Sequence, residues 1–150
     1  MRYSGLFSKQ KLMRTVLLAL LPAGFGSIYF FGSRQVVMAL AVALIGAAAE
    51  YLVIRSLYQD NAKVSEAVFV TAALYTLTLP PLTPMWIAVI GMLFAIVFAK
   101  MAFGGFGRNI FNPALAGRCF VYIAFPTQMT MEWPLPFSGF PGGFAAWSAR

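Results

Sequence analysis

Glu66 stands directly before Ala67-Val68-Phe69-Val70-Thr71, at the mouth of an apolar stretch. A carboxylate near hydrocarbon costs a few kcal/mol and is retained mainly where it meets a cation, a proton path or a partner. Two accounts stand: a carboxylate on an ion path, or a headgroup-level group paired with Lys63, three residues earlier. Glu50 falls near the end of another apolar run and reads as a structural helix-end residue. Arg118 lies between Ala114-Leu115-Ala116-Gly117 and Cys119-Phe120-Val121-Tyr122. Its guanidinium does not discharge by losing a proton. It needs an anion, carbonyls or water, or it snorkels to the interface.

A third feature is the block Gly104-Gly105-Phe106-Gly107-Arg108-Asn109-Ile110-Phe111-Asn112-Pro113. Glycines allow close backbone approach. If Asn109 opens the following helix, its side chain caps free amides and Asn112 lies one turn along the same face. Such a surface suits a polar ring edge, and a plain turn with a helix cap accounts for the same glycines. The block lacks the lysine and the preceding strand of phosphate-binding loops.

These residues must be positioned by membrane helices. Of 150 residues, 61% are hydrophobic and 10% charged, against about a quarter charged in soluble domains. The excess of 11 Lys+Arg over 4 Asp+Glu is scattered at segment ends, which fits membrane topology and not a nucleic-acid surface. Cys119 alone makes no disulfide or cysteine metal site within the chain and reads as a small buried hydrophobe. Histidine is absent, which removes the commonest metal ligand and proton shuttle.

About five apolar segments follow one another. Thr15–Phe31 comes after Arg2, Lys9, Lys11 and Arg14 and reads as a retained span, its Pro22 tolerated if neighbouring helices cover the backbone. Gln35–Ile54 has roughly the twenty residues a crossing needs. Ser65–Leu79 is short and stops at Pro80-Pro81, since tandem prolines remove two donors and force the preceding residue out of the helical region. It either spans or is re-entrant. Met85–Ala99, closed by Lys100, and Ile110–Phe125 complete the set. Residues 126–150, rich in Pro, Gly and aromatics, suit a non-spanning outer-side tail. With a cytoplasmic N-terminus, Arg55, Lys63, Lys100 and Arg108 fall on the cytoplasmic side, and Arg34 and Arg150 opposite. The expected fold is a single all-α membrane domain over 1–150.

Three blocks then come in order: Ser65-Glu66-Ala67-Val68-Phe69-Val70-Thr71, Leu79-Pro80-Pro81-Leu82-Thr83-Pro84-Met85-Trp86, and Phe103 through Asn112-Pro113-Ala114-Leu115-Ala116-Gly117-Arg118. From about Arg14 to its C-terminus the chain resembles the B subunit of the sodium-translocating NADH:quinone reductase. The related D subunit of the Rnf complex shares the glycine and Asn-Pro-Ala block, and Phe125-Pro126-Thr127-Gln128-Met129-Thr130 is similar to that branch.

The resemblance implies one half of a ten-helix inverted-repeat bundle, similar to urea transporters, in a bacterial inner membrane. It implies a subunit that passes electrons through flavins from NADH toward ubiquinone while sodium ions cross, with other subunits of the complex as partners and no nucleic acid. By position, Glu66 matches an acidic residue of the ion path, and Gly104, Gly105, Asn109, Asn112 and Arg118 match a flavin-lining block. The quinone site would fall near Asn61-Ala62-Lys63-Val64, which lacks the expected glycines. Two flavins are implied: riboflavin, and FMN joined covalently to a threonine in a Ser-Gly-Ala-Thr-like motif. That motif is absent from the 150 residues, and neither Thr127 nor Thr130 has fitting surroundings. The attachment threonine is expected beyond Arg150, in a longer subunit of which this is the N-terminal half and which does not fold as a half alone. Alternatives are an Rnf D subunit exchanging electrons between ferredoxin and NAD, a passive inverted-repeat channel, or a structural half-subunit.

Overall fold

The computed structural model describes residues 7–8, 11–58, 64–105, 107–131 and 133–148. Helix α1 spans Lys11–Phe31, α2 Arg34–Tyr58, α3 Ala67–Thr78, α4 Met85–Phe94 and α5 Pro113–Ala124, followed by a single turn, α6, Pro126–Thr130. The strand pair β1 (Phe7–Ser8) and β2 (Val64–Ser65) runs parallel, with Phe7 opposite Val64. Three helical stretches have the length and composition to cross a membrane, Lys11–Phe31, Arg34–Ser56 and Met85–Phe103. Ala67–Thr78 and Pro113–Ala124 are shorter and apolar. The five expected segments are therefore all helical, three of them of full spanning length.

Boundaries depart from the sequence expectation at two functional places. The fourth segment does not end at Ala99: α4 passes into a π turn, Ala95–Lys100, and then a 3-10 turn, Met101–Phe103, so Lys100 lies inside the segment and not at its mouth. The fifth does not begin at Ile110. Its first helical residue is Pro113, capped by Asn112, because proline fits the first helical position, where its missing N–H would have no intrahelical partner.

The segments alternate in direction, as contacts at the two ends of the bundle show. At one end Arg14 of α1 meets Glu66, and Glu50 of α2 meets Ser65 and Lys100. At the other, the Arg34 guanidinium donates to the carbonyls of Pro81 and Thr83, and Trp86 sits edge-on to Phe125 at 5.1 Å. The stretch from Ser65 to Thr83 thus runs beside α2 from Glu50 to Arg34, a length of about 24 Å at the helical rise. The short third segment travels the full distance and does not turn back. Beyond α6 the tail folds onto the α1–α2 corner: the Ser33 and Arg34 amides donate to the carbonyls of Ala146 and Trp147 at 3.0 and 2.8 Å. It does not span.

Val42, Val68, Tyr75, Ile87, Met92, Ile96 and Val121 form the centre of the core, all fully buried. No α1 residue is buried, and Leu18, Leu21 and Phe25 are half or more exposed, as a lipid-facing helix would be. The tightest packing lies where α3, α4 and α5 cross. A Cβ on Gly117 would stand 2.8 Å from the Gly91 carbonyl, and one on Gly91 would overlap the Tyr75 hydroxyl.

Candidate functional site

The principal feature is a buried polar cluster at the α2, β2 and α4 end of the bundle. Lys100 Nζ donates to Glu50 Oε2 and to Ser65 Oγ, both at 2.7 Å. Ser65 Oγ in turn donates to Glu50 Oε1 at 2.8 Å, and the Ser65 amide reaches the same oxygen at 3.3 Å. Glu50 is 1%, Lys100 2% and Ser65 5% exposed. Burying two opposite charges is costly even when they pair, and a pair of this kind contributes little net stability. The π turn that ends on Lys100 adds one residue to the winding and carries the ammonium into the cluster. Such turns recur at functional sites.

Next to Ser65 in the chain stands the Glu66 carboxylate. Arg14 grips it through Nε, at 3.1 and 3.0 Å to its two oxygens, and through Nη2 at 2.5 Å. The Glu66 side chain is 12% exposed and that of Arg14 55%. The partner among the described residues is a cation 52 residues away; Lys63, the neighbour the sequence suggests, lies like Asn61 and Ala62 outside the described residues. Glu66 and Glu50 are thus separated by one serine, the first at the rim and the second in the interior, each already holding a basic side chain.

A cavity of about 350 Å³ opens next to this row, lined by Lys100, Thr71, Asn109, Asn112, Phe111 and Pro113 among others. Asn109 and Asn112 thus come together as the sequence suggests, but with exchanged roles. The Asn112 side chain accepts from the Ala114 amide at 3.0 Å and caps α5. Asn109 lies outside the helix, its Nδ2 donating to the Phe111 carbonyl at 2.9 Å. Gly104 and Gly105 have φ of 96° and 88°, the left-handed region that glycine enters without a Cβ penalty. They reverse the chain after the 3-10 turn, with the Gly105 amide donating to the Lys100 carbonyl at 3.1 Å.

Neither glycine lines the cavity; they position Lys100 and the asparagine loop from outside. Arg118 does not line it either. It is half-buried on the outward face of α5, where Leu115 and Tyr122 are half exposed, and makes no hydrogen bond or ion pair with the described residues. Cys119, expected inside, is exposed, because the buried stripe of α5 is Pro113, Ala114, Gly117 and Val121, with which position 119 is out of phase. No group of three metal-ligating side chains occurs among the described residues.

The exchanged roles of the two asparagines have a direct test. Asn112→Ala should lower stability by about 1 kcal/mol, the ordinary value of a lost N-cap, whereas Asn109→Ala should change it by less than about half of that. Thermal unfolding of the purified protein in detergent separates the two; equal effects would contradict the cap assignment.

Three helical stretches long and apolar enough to cross a membrane, packed with two shorter apolar helices around a buried charged cluster at one end, define a multi-pass helical membrane protein. More particularly, the model of the NQR2, RnfD, RnfE family matches residues 5–147, and the chain belongs to that family. Similar relatives each carry the name of the D subunit of an ion-translocating oxidoreductase complex. That of Psychromonas ingrahamii is 40% identical over 134 residues, covering 85% of this chain and 38% of the relative. That of Yersinia pseudotuberculosis is 40% identical over 146 residues, covering 91% and 40%. That of Shewanella pealeana is 42% identical over 130 residues, covering 85% and 37%. The chain spans about two fifths of the length of these curated relatives. Of the two branches the sequence resembles, their names favour the D subunit over the B subunit of the quinone reductase.

Proposed function

We propose that the chain serves in a D-type subunit of an ion-translocating oxidoreductase complex, where its helices bring a cation path beside an electron-carrying group. The observation that carries this reading is the row Glu66–Ser65–Glu50, whose inner carboxylate holds Lys100, a residue that also lines a cavity of mixed polar and apolar walls. An ion-conducting path needs charged groups of this kind inside a membrane protein, and intramembrane ionisable residues mark such paths. Sodium is the ion proposed, since oxygen ligands suit a hard cation. The D-subunit names of the relatives support electron exchange with the other subunits of the complex over the quinone chemistry of the B branch. The cytoplasmic placement of the Glu66 end, in a bacterial inner membrane, belongs to the same proposal, as does an inverted-repeat partner half.

The cavity is also proposed to take a flavin, riboflavin being the one that needs no covalent anchor. Its volume lies at the lower end of the range for small-molecule sites, and Asn109, Asn112, Thr71 and Lys100 are the polar residues that would hold a ring edge. Asn112 Oδ1 is committed to the cap, so its amide N–H groups are the ones free to donate. A bound flavin supplies one- and two-electron chemistry, and the protein's part is to orient it and set the charge around it. FMN is left to a Ser-Gly-Ala-Thr-like motif that these 150 residues do not contain, and no step is derived through it.

The test is ion uptake into proteoliposomes by the purified complex that carries this chain, energised with a reduced electron donor and followed with a sodium-sensitive dye, together with flavin extraction. Donor-dependent uptake is the expected result. A complex that oxidises its donor with no ion movement would overturn the proposal.

A further inference from the structure

We infer that Glu50 and Ser65 form an intramembrane site for a dehydrated monovalent cation, in which the ammonium of Lys100 is a tethered resident that a free ion displaces. The oxygens are already arranged around a single positive charge: Glu50 Oε2 and Ser65 Oγ stand 2.7 Å from Lys100 Nζ, and Glu50 Oε1 is held by the Ser65 hydroxyl at 2.8 Å. Carboxylate and hydroxyl oxygens are the ligands a hard cation takes. A permanent ion pair would be a poor use of this position, because apolar residues of similar volume serve as well or better for stability.

Two further features make displacement physically accessible. Lys100 also lines the cavity shared with Thr71, Asn109 and Asn112, so its ammonium has polar side chains to turn toward, within an otherwise apolar lining, when it leaves Glu50. Its backbone is wound first as a π turn and then as a 3-10 turn, a stretch whose hydrogen-bond register differs from the helix on its N-terminal side, and Gly104 and Gly105 follow at positive φ. Access is from Glu66, the residue next to Ser65, whose own resident cation, Arg14, is more than half exposed.

Charge balance gives the exchange a direction. When an ion replaces Lys100 at Glu50, the charge at Glu50 stays balanced, and site and cavity together gain one positive charge, carried by the ammonium that now faces the cavity. The exchange is therefore favoured when the cavity holds a negative charge and opposed when it does not, which couples ion entry to the arrival of an electron-rich occupant. This deepens the proposed function and rests on it.

Sodium binding to the purified complex, measured by titration calorimetry, tests the site. Lys100→Met removes the competitor and should tighten sodium binding by at least roughly fivefold, the lower end of ordinary coupling between sites, while slowing donor-driven uptake because release is impaired. Ser65→Ala keeps the ion pair but removes one ligand and should weaken binding. Glu50→Leu combined with Lys100→Met should abolish both binding at this site and coupled uptake. The inference is overturned if the double variant binds and transports sodium as the wild type does, or if Ser65→Ala leaves the affinity unchanged. A wild-type complex that moves no ion at all fails the functional proposal instead; one that transports normally while the double variant does the same fails only this site.

Discussion

Replacing Glu50 alone by leucine is expected to destabilise the protein by about 3–5 kcal/mol, because it leaves the Lys100 ammonium in the bundle without its carboxylate. Both charges are essentially inaccessible in the paired arrangement, and turning toward the adjoining cavity offers the ammonium polar side chains but no counter-charge. Ser65 does not rescue the variant: its oxygen accepts one N–H, but a neutral hydroxyl does not neutralise the charge. Adding Lys100→Met should return most of the loss, since leucine and methionine fill comparable volumes and no charge is stranded; the Ser65 hydroxyl and amide, which lose Glu50 Oε1, account for the part not recovered. The second substitution therefore stabilises where independent effects would add to the damage. Yield of monodisperse protein after detergent extraction and its thermal midpoint measure this. If the double variant is as unstable as the single, the pair is coupled to the fold through something other than charge.

That pair also shows where the sequence stops being informative. Helix existence is legible throughout, because apolar runs of about twenty residues, and prolines that stop them, act locally. The tandem Pro80-Pro81 ends α3 at Thr78, one residue before the expected Leu79, which is its C-cap, and charges at segment ends sort to opposite ends of the bundle: Arg14 to one and Arg34 to the other. Glu50 and Lys100 read as helix-end residues in the sequence because both lie near the ends of their runs, and only the packing of α2 against the π turn brings them together across 50 positions. A usable signal is present: Lys100 is followed by Met101-Ala102-Phe103, so apolar sequence continues past the charge that seems to close the segment. The cap at Asn112 is legible too, since Asn-Pro is the ordinary start of a helix with proline in its first turn. Periodicity counted from Ile110 obscures it. The outward position of Arg118 and Cys119 follows from the phase of α5, which depends on which face the α4 glycine opens to receive.

That receiving face leads to the second large effect. Gly117→Val should prevent α5 from docking. A Cβ there would lie 2.8 Å from the Gly91 carbonyl oxygen and 2.9 Å from the Ala95 Cβ, and the first of these is backbone, which does not swing aside as a side chain does. Alanine already demands that the two helices separate; valine adds two methyl groups to the same space. Overpacking of a well-packed interior costs about 1–3 kcal/mol and more where nothing yields, so valine belongs at or above the top of that range. The loss is not confined to one contact. Small residues let membrane helices approach closely, and this approach brings Phe120 of α5 over Phe94, stacked at 4.3 Å between centroids, and leaves Asn112 and Pro113 beside Lys100 at the cavity. Gly117→Val should therefore remove the cavity together with the stability, whereas Gly117→Ala should retain a weakened version of both. The check is a pair of cysteines placed on the facing sides of α4 and α5: crosslinking in membranes should be efficient in the wild type, reduced in the alanine variant and lost in the valine variant. Equal crosslinking in all three would mean that α5 reaches α4 by a packing other than the one through Gly91 and Gly117.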